Sequence, residues 1–294
     1  MKGARAVTLL NLGLCLMLAT AAFADDRHAR SFVMLGGSRI HYELQGKGSP
    51  CLVLVSGVGC PAEVWDAVFP RLARLSATLR YSRAGLGSST FAGTDKRTLD
   101  DLVKELDELL GKLQVPKPFV LVGHSYGGLI IRAFAAAHPD QVAGLLFVDS
   151  TFEAYFPVLE TLEPRAREFE MKSFEKELHE LPPGSAVRLE VESLFALWDR
   201  RALMNDLAAA RIPTIVLTSV RVDPDDPLRS NGRFMQARYD AHHRWLNPLA
   251  WGMHLTTPYS GHFIQFDEPD LIVQAAGMLL AFMRAQEKGA HPAQ

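Results

Sequence analysis

The residues of this chain that could do chemistry together are a serine, a histidine and an aspartate, and that chemistry would be acyl transfer. Ser125 is the central residue of a Gly-x-Ser-x-Gly motif at 123–127. A serine hydroxyl is a weak nucleophile until a base accepts its proton, and the usual base is a histidine that a carboxylate orients. The motif therefore predicts that a histidine and an acidic residue elsewhere in the chain complete a catalytic site.

The residues around Ser125 predict the turn that such a nucleophile needs. An apolar run at 118–122 is typical of a strand, and residues 128–134 have the pattern of a helix. A serine between a strand and a helix lies in a strained turn that pushes its hydroxyl clear of the sheet. The flanking glycines let the strand and the helix pass close together. We predict that Ser125 is the nucleophile; the alternative is an ordinary tight turn.

His262 is the predicted base among the 10 histidines. It lies in a loop between a predicted last strand at 254–258 and a predicted final helix at 268–284, where a base of this kind is expected. Gly261 gives the backbone the freedom to bring the ring to the serine. The chain has neither a His-Glu-x-x-His nor a Cys-x-x-Cys pattern, so we expect no metal site.

Two aspartates fit the chain order serine, acid, histidine. Asp223 follows a predicted strand at 213–218, and Asp149 ends a predicted strand at 142–148. Asp223 also fits a turn beside a proline, and Asp149 also fits a helix cap or a loop tie. We favour Asp223 as the acid and keep Asp149 as the alternative.

Acyl transfer also needs hydrogen-bond donors for the oxyanion that develops on the substrate carbonyl. The predicted donors are the backbone N–H groups of Tyr126 and Val58, the second of which lies in a glycine-rich loop at 56–59. The loss of one such donor typically costs about 3 kcal/mol of transition-state stabilisation. The alternative for this loop is a turn that binds no ligand.

Predicted strands alternate with helices along most of the chain. An apolar run at 51–56 is typical of a strand that is covered on both faces, and Thr98 begins a helix with a capping box to Asp101. The alternation predicts an α/β fold with a mostly parallel central sheet and helices on both faces. Such a sheet places its site at the carboxyl ends of the strands, where the predicted site residues fall. Further predicted elements are a hairpin at 31–36 and 39–44, a helix at 62–75 and a strand at 77–82.

Leader and cap segments interrupt this alternation. The predicted division is a signal peptide at 1–24, a core at 25–151 and 212–285, a helical cap insertion at 152–211 and a flexible tail at 286–294. The signal peptide is predicted from a positively charged start, an apolar segment and an Ala-x-Ala signature at 22–24. Its cleavage predicts a secreted or periplasmic protein without a stable membrane anchor; the alternative is an uncleaved anchor helix.

The overall composition is that of a soluble globular protein, with 48% hydrophobic and 22% charged residues and a formal net charge of −2. No basic stripe stands out, so nucleic acid is not an expected partner. An exported compartment permits disulfides, but the strand that begins at Cys51 carries the chain away before Cys60 is reached. We expect both thiols to be unpaired, and the sequence makes no prediction of oligomeric state.

The segments from about 31 to 284 together resemble the α/β-hydrolase superfamily. The matching motifs are Val55–Gly59, Tyr81–Ser88, Gly123–Gly128, Ser260–His262 and Asp267–Pro269. The resemblance implies a Ser-His-acid triad, no cofactor and a cap that shapes the pocket for a small-molecule acyl substrate. Most members place the acid at the position of Asp223, and some place it at that of Asp149.

Three features of the sequence refine what this resemblance implies. Ser56 stands where the superfamily usually has histidine, which bears on the oxyanion loop, and Ser82 stands where it usually has aspartate, which bears on loop packing. Haloalkane dehalogenases and epoxide hydrolases of this fold use an aspartate nucleophile, so Ser125 implies a carboxylesterase-like serine hydrolase that cleaves esters, thioesters, lactones or amides through an acyl-enzyme. Candidate pocket walls in the cap are Phe156, Phe169, Phe174, Phe195 and Trp198.

Two other functions fit parts of the sequence. The glycines of the oxyanion loop, with Ala62, fit a dinucleotide fingerprint after a strand, which would indicate a nicotinamide-dependent oxidoreductase. That interpretation leaves Ser125 and His262 without a role. A catalytically inactive binding scaffold of the same fold is the other alternative.

Overall fold

The structure is a computed structural model, and it describes residues 31–93, 96–162, 165–199, 212–224, 228–247, 249 and 251–290. The predicted signal peptide at 1–24 lies outside the described residues. So do the last four residues of the predicted tail and part of the predicted cap.

An eight-stranded sheet forms the centre of the described chain. Its strands are β1 Ser31–Leu35, β2 Ser38–Gln45, β3 Cys51–Val55, β4 Thr78–Tyr81, β5 Phe119–His124, β6 Val142–Val148, β7 Thr214–Ser219 and β8 Gly252–Thr257. They lie in the order β1-β2-β4-β3-β5-β6-β7-β8. Only the β1–β2 and β2–β4 pairs are antiparallel. The predicted α/β fold class with a mostly parallel central sheet is confirmed, and the predicted hairpin is the antiparallel β1–β2 pair at one edge of the sheet.

Helices connect and cover these strands. They are α1 Phe69–Leu72, α2 Leu99–Lys112, α3 Tyr126–Ala137, α4 Tyr155–Leu162, α5 Ala166–Glu180, α6 Ala186–Trp198, α7 Gly232–Arg244, α8 Ile264–Asp267 and α9 Pro269–Ala290, with short 3-10 helices at Ala62–Trp65 and Pro139–Gln141. The predicted capping box begins α2, where the Asp101 N–H donates to Thr98 Oγ1 at 3.3 Å and the Thr98 N–H donates to Asp101 Oδ2 at 2.9 Å.

Alternate residues of the central strands fill two separate cores. On β3, Val53 and Val55 pack with residues of α2 and α3, whereas Leu52 and Leu54 pack with residues of α9. All five residues of β3 are buried, as a strand covered on both faces requires. Because each buried valine or leucine contributes roughly 1.5–3 kcal/mol, the two cores fix the sheet firmly and hold the ends of its strands in place.

The structure differs from the predicted elements at three places. The helix predicted at 62–75 is broken into a 3-10 turn and α1, because Pro70 lacks the N–H that a continuous helix would use. The final helix continues to Ala290, so residues 286–290 of the predicted flexible tail are helical. Helix α7 was not predicted, because its buried face carries Arg238 and His242 among apolar residues.

The two described cysteines differ in state. Cys51 is a free, buried thiol, whereas Cys60 is disulfide-bonded, so the prediction of two unpaired thiols is wrong for Cys60. Cys51 and Cys60 are not bridged to each other, as their separation along and beyond β3 predicts. Within the described residues, no helix has both the length and the apolar character that crossing a bilayer requires.

Three helices, α4 to α6, lie between β6 and β7 in the region predicted as a helical insertion. Their buried side chains belong to the same core as α2 and α3, and they include Tyr155, Leu159, Val191 and Trp198. This segment is therefore packed onto the core of the sheet. Residues 200–211 of the predicted cap lie outside the described part of the chain.

Candidate active site

Ser125 lies at the junction of β5 and α3 in a strained backbone conformation. Its φ is 53° and its ψ is −120°, and a positive φ is uncommon for a residue with a side chain. The turn is held by its own backbone, because the Ser125 N–H donates to Val148 O at 3.2 Å and the Thr151 N–H donates to Ser125 O at 3.2 Å. The expected sharp turn between strand and helix is present.

The glycines of the motif are needed because the backbones approach closely. A Cβ at Gly127 would lie 2.1 Å from Val55 O, and one at Gly123 would lie 2.6 Å from Gly127 O. Neither distance is possible for real atoms, so a larger side chain would force β5 and α3 apart. The two glycines are therefore required because the first turn of α3 lies tightly against the ends of the strands.

His262 lies in the loop after β8, and its ring is held by Asp149. The His262 Nδ1–H donates to Asp149 Oδ2 at 2.8 Å, which leaves Nε2 with a free lone pair to accept a proton. Ser125, Asp149 and His262 line one cavity. The Ser125 hydroxyl makes no hydrogen bond to the His262 ring in this arrangement, and catalytic hydrogen bonds commonly tighten only when substrate is bound.

The structure places the alternative acid, Asp149, and not the favoured Asp223, against the histidine. The Nδ1 atom of His262 carries one hydrogen, which it donates in a hydrogen bond to Asp149. Nδ1 therefore has no second hydrogen bond to donate to Asp223. Asp149 follows β6 directly, and its φ of 43° turns its carboxylate toward the histidine loop. The geometry therefore favours Asp149 as the acid.

Two arginines that the sequence analysis missed also bind the Asp149 carboxylate. Arg229 Nη2 donates to Oδ2 at 3.3 Å, and Arg238 Nη2 forms a close ion pair with Oδ1. The Ser219 N–H donates to Oδ1 at 2.8 Å. Asp149 is fully buried, so these partners are what allow a carboxylate to remain ionised there.

Burial and these charges set the protonation states of the pair. Burial alone would raise the pKa of Asp149, but Arg238, His262 and Arg229 together hold it well below its ordinary value. Burial lowers the pKa of His262 below 6.5, and the two guanidiniums lower it further, while Asp149 opposes them. His262 is therefore neutral at pH 7 and ready to accept a proton.

The lowered pKa of His262 predicts activity that persists into mildly acidic solution. Protonated His262 cannot accept the Ser125 proton, so kcat/KM falls as the pH falls through the pKa of the ring. Because that pKa lies below 6.5, we expect the acid midpoint of kcat/KM for p-nitrophenyl butyrate below pH 6.5. A rate that stays flat down to about pH 4 would contradict a histidine base.

Arg229→Gln tests the cause of this shift. With one positive neighbour removed, the pKa of His262 should rise, and the midpoint should rise with it. Arg233→Gln is the matched control, because Arg233 is exposed at the start of α7 and should leave the midpoint unchanged. An equal shift in both variants would contradict a local electrostatic effect.

His124 lies beneath the loop that carries His262 and binds the backbone of that loop. It is fully buried, and its Nε2–H donates to the backbone oxygen of His262 at 3.0 Å, with the two rings 4.7 Å apart. Burial, with His262 beside it, lowers the pKa of His124 to about 3, so this ring stays neutral.

Acidic residues anchor the rest of the histidine loop. The Gly261 N–H donates to Asp267 Oδ2 at 2.7 Å, and the Ser260 hydroxyl donates to Glu268 Oε2. The carboxylate of Asp267 thus holds the loop that carries His262, and the position of His262 is fixed on both sides.

The predicted oxyanion donors lie beside the nucleophile. A Cβ at Gly57 would lie 3.1 Å from Ser125 Cβ, so the loop after β3 packs directly on the serine. Among the described residues, neither the Val58 N–H nor the Tyr126 N–H donates to another protein group. Buried backbone N–H groups are almost always paired, so two unpaired ones beside a nucleophile are suited to bind an oxyanion.

The two serines that depart from the superfamily pattern stabilise this loop. The Trp65 Nε1–H donates to Ser56 Oγ at 3.0 Å, and Ser56 Oγ donates to Pro61 O at 3.2 Å. The Ala62 N–H donates to Ser82 Oγ at 2.9 Å, which ties the loop after β3 to that after β4. Both serines therefore act in loop packing.

The cavity beside Ser125 is small and has aromatic walls. Its volume is about 20 Å³. Its walls include Phe152, Tyr155 and Trp198. Of the predicted wall residues, Trp198 lines the cavity, Phe156 and Phe195 pack behind it, and the side chains of Phe169 and Phe174 lie outside the described part.

A family model described as the alpha/beta hydrolase family matches residues 52–275, which is most of the chain. The chain belongs to this family.

Several relatives of this family member carry names that state an activity. It is 36% identical over 118 residues to a soluble epoxide hydrolase from Corynebacterium sp. strain C12, which is 40% of each chain. It is 32% identical over 112 residues to a pimeloyl-(acyl-carrier protein) methyl ester esterase from Aeromonas hydrophila, or 38% of this chain and 42% of that one. The match spans less than half the length of the curated relatives that it resembles.

Solved structures show the same fold. A thermophilic esterase from Thermogutta terrifontis superimposes on the hydrolase with a TM-score of 0.61 at 20% identity, over 87% of this chain and 99% of that chain. Within the described residues of the hydrolase, no group of three or more histidine, cysteine or acidic side chains is placed to hold a metal ion.

Sequence reasoning missed the charged residues that surround the triad. Arg229 and Arg238 come after Asp223 in the chain. For Arg238, the available signal was a charged residue among apolar residues on the buried face of α7. Glu190 stands likewise on the buried face of α6, beside Leu189 and Val191. A charged residue amid buried apolar positions usually has a buried partner of opposite charge.

Proposed function

We propose that this hydrolase cleaves small carboxylic esters, or related acyl bonds such as thioesters, lactones or amides, by a serine mechanism. Ser125 attacks the acyl carbon, and His262 accepts the Ser125 proton and then gives it to the leaving group. Asp149 orients the imidazole and stabilises its charged form. Water then attacks the acyl-enzyme with His262 again as the base.

The observation that carries this proposal is the strained serine beside a histidine whose Nδ1 is held by a buried carboxylate. The Val58 and Tyr126 N–H groups, which have no acceptor among the residues that the structure describes, supply the oxyanion hole. A carbonyl oxygen that gains negative charge in the transition state would accept from both donors. This stabilisation exists only once the charge develops, so it raises kcat rather than affinity.

The cavity favours a short acyl group. Its volume of about 20 Å³ is far below the roughly 300–1,000 Å³ of ordinary ligand pockets, and Trp198 closes one side. The Trp198 Nε1–H donates to Thr151 Oγ1 at 2.8 Å, and its ring lies against Tyr155 with the centroids 4.4 Å apart. Because Trp198 is held at two points, a long acyl chain cannot displace it easily.

A fluorophosphonate probe tests the nucleophile. The Ser125 oxygen would displace the fluoride and form a stable bond to phosphorus, and the Ser125→Ala protein should remain unlabelled. Intact-mass spectrometry of the folded protein checks both results. A wild-type protein that stays folded and unlabelled would favour the inactive scaffold.

The length of the acyl chain tests the role of Trp198. In Trp198→Ala, the ratio of kcat/KM for p-nitrophenyl octanoate to that for the butyrate should rise roughly tenfold, since each extra methylene then finds an apolar site. Phe195→Ala is the control, because Phe195 packs on Trp198 without lining the cavity. An unchanged ratio in Trp198→Ala would contradict a wall at this position.

The loop after β3 gives little support to the oxidoreductase alternative. The Gly59 N–H already donates to Glu190 and the Cys60 N–H to Gly57 O, so these donors are not available to a pyrophosphate. The segment that follows is a 3-10 helix of four residues, too short for a dinucleotide-binding helix. A titration with a nicotinamide dinucleotide, read by tryptophan fluorescence, should therefore show no binding.

An exported location, secreted or periplasmic, is also part of the proposal. It rests on the leader-like composition of residues 1–24. Fractionation of cells that express the full chain, with N-terminal sequencing of the product, should find cleavage after Ala24. A product that retains residues 1–24 would contradict this expectation.

A further inference from the structure

A buried carboxylate from the cap region reaches the oxyanion loop. Glu190, in α6, is fully buried. It accepts a two-pronged hydrogen bond from Arg83, with Nε at 2.8 Å from Oε1 and Nη2 at 2.7 Å from Oε2. Arg97 donates to Oε1 at 3.3 Å. The mechanism proposed above uses none of these three side chains.

The same arginine holds the loop that carries the predicted oxyanion donor. Arg83 Nη1 donates to Ser56 O at 2.7 Å, and Nη2 donates to Gly57 O at 2.7 Å. Arg83 is 1% exposed, so its guanidinium forms these bonds without competition from water. One fork therefore joins the cap helix to two successive carbonyl groups of the loop.

These contacts control the direction of the Val58 N–H. The Gly57 carbonyl and the Val58 N–H belong to one planar peptide, in which the two groups point in opposite directions. Arg83 fixes the carbonyl end of that plane. Glu190 Oε2 accepts from the Gly59 N–H at 3.3 Å, which fixes the next peptide. Both peptide planes that flank the Val58 Cα are thus held by the ion pair.

The ion pair is poorly explained by stability alone. A buried salt bridge loses most of its attraction to the cost of removing two charges from water. Arg83 and Arg97 hold the pKa of Glu190 below its ordinary value despite its burial, so the carboxylate is charged and can accept all of these hydrogen bonds. These fixed charges instead hold the loop after β3 in one orientation.

We propose that Glu190 is a positioning residue, which acts through Arg83 and the Gly59 N–H to aim the Val58 N–H at the oxyanion. This inference rests on the proposed serine mechanism. Under this proposal, the orientation of the oxyanion hole depends on the position of α6. The cap segment then contributes to the rate of the chemical step as well as to the walls of the cavity.

The variant Glu190→Gln tests the proposal, because it keeps the size of the side chain and removes the charge and one acceptor. We expect kcat for p-nitrophenyl butyrate to fall roughly 10- to 100-fold with KM nearly unchanged, since a misdirected donor acts only in the transition state. The trifluoromethyl ketone with the same propyl group gives a second readout. Its carbonyl carbon bonds to the Ser125 oxygen, the carbonyl electron pair becomes the oxyanion, and the proton passes to His262.

The affinity for this ketone should fall by the same factor as kcat, whereas the affinity for butyrate, a ground-state ligand, should stay constant. Glu192→Gln is the matched control, because Glu192 is half-exposed on the same helix and pairs with Arg188. A folded Glu190→Gln protein with wild-type kcat and ketone affinity would overturn the proposal.

Two further measurements keep the result decisive. If Glu190→Gln does not fold, Arg83→Lys replaces it, because lysine keeps the charge and cannot bridge Glu190 and both carbonyls at once. Wild-type kcat in that variant would likewise overturn the proposal. Fluorophosphonate labelling of the wild-type protein separates the two inferences: an unlabelled wild type contradicts the serine mechanism, whereas a labelled wild type with unaffected variants contradicts only the role of Glu190.

Discussion

Asp149→Asn is expected to lower kcat for p-nitrophenyl butyrate on the order of 10⁴-fold. An asparagine amide cannot stabilise the imidazolium that forms when His262 takes the Ser125 proton. Its NH₂ group can also turn toward Nδ1, which would place the ring proton on Nε2 and remove the base. The measurement is kcat by steady-state assay at pH 7 on purified variant and wild-type protein.

Asp223→Asn is the matched control for this substitution. The two aspartates follow neighbouring parallel strands and were both candidates, but only Asp149 accepts from His262 Nδ1 at 2.8 Å. We expect kcat of Asp223→Asn within about threefold of wild type, as for a loop residue outside the site. A large loss in Asp223→Asn with a small loss in Asp149→Asn would contradict the assignment.

The two buried arginines complicate Asp149→Asn. Without the carboxylate, Arg229 and Arg238 face each other's charge in a buried site, which typically costs 3–5 kcal/mol of stability. Thermal unfolding should therefore accompany the assay. The double variant Asp149→Asn/Arg238→Met removes one of the uncompensated charges, so it should regain stability without regaining kcat.

The positions of Ser125 and His262 in the fold could be predicted because their signals are local. The motif at 123–127, the apolar strand before it and the helix after it together specify the strained turn. For His262, the position after the last strand and beside Gly261 gave the loop without any knowledge of distant contacts. The glycine contacts at 123 and 127 explain why this sequence pattern and this backbone go together.

The acid could not be chosen from the sequence because both candidates end strands of the same sheet edge. β6 and β7 are adjacent and parallel, with Val148 opposite Leu217, so Asp149 and the segment leading to Asp223 leave the sheet side by side. The choice depends on the direction of one side chain. That direction is set by the φ of 43° at Asp149 and by arginines from the segment after β7, which strand patterns do not report.

The missed helix α7 illustrates the same limit. Asn231 caps it by accepting from the Arg233 and Phe234 N–H groups, and Phe234, Arg238 and Ala241 recur at helical spacing on its buried face. The arginine in that series interrupts the apolar pattern that predicts a helix. The interruption is the functional feature, because the buried guanidinium binds the carboxylate that orients the base.

The site is thus held from two sides by buried ion pairs. On the side of the base, α7 supplies Arg238 to Asp149, and on the side of the oxyanion, α6 supplies Glu190 to Arg83. Each pair joins a helix to a loop at the carboxyl end of a strand, because Asp149 follows β6 and Arg83 follows β4. The sheet places the reacting groups near one another, and these pairs fix their directions.

Ser125→Ala and His262→Ala are each expected to lower kcat on the order of 10⁶-fold, and the double variant no further. The alcohol and the imidazole act in one proton transfer, so removing either abolishes the step that both perform. Independent contributions would instead multiply, and the double variant would then fall far below either single variant. A residual rate roughly 10³-fold above the uncatalysed reaction should remain in all three, because the Val58 and Tyr126 donors still stabilise the oxyanion when water is the nucleophile.

The affinity for butyrate separates this outcome from a loss of structure. Both alanine substitutions leave the aromatic walls of the cavity intact, so butyrate binding by calorimetry should change little in any of the three proteins. If His262→Ala kept more than about a hundredth of the wild-type kcat at pH 7, the ring would not be the base. Ser125 would then need another proton acceptor. The nearby neutral His124 is buried beneath the turn, and because its Nε2–H donates to His262 O, only its Nδ1 could accept a proton.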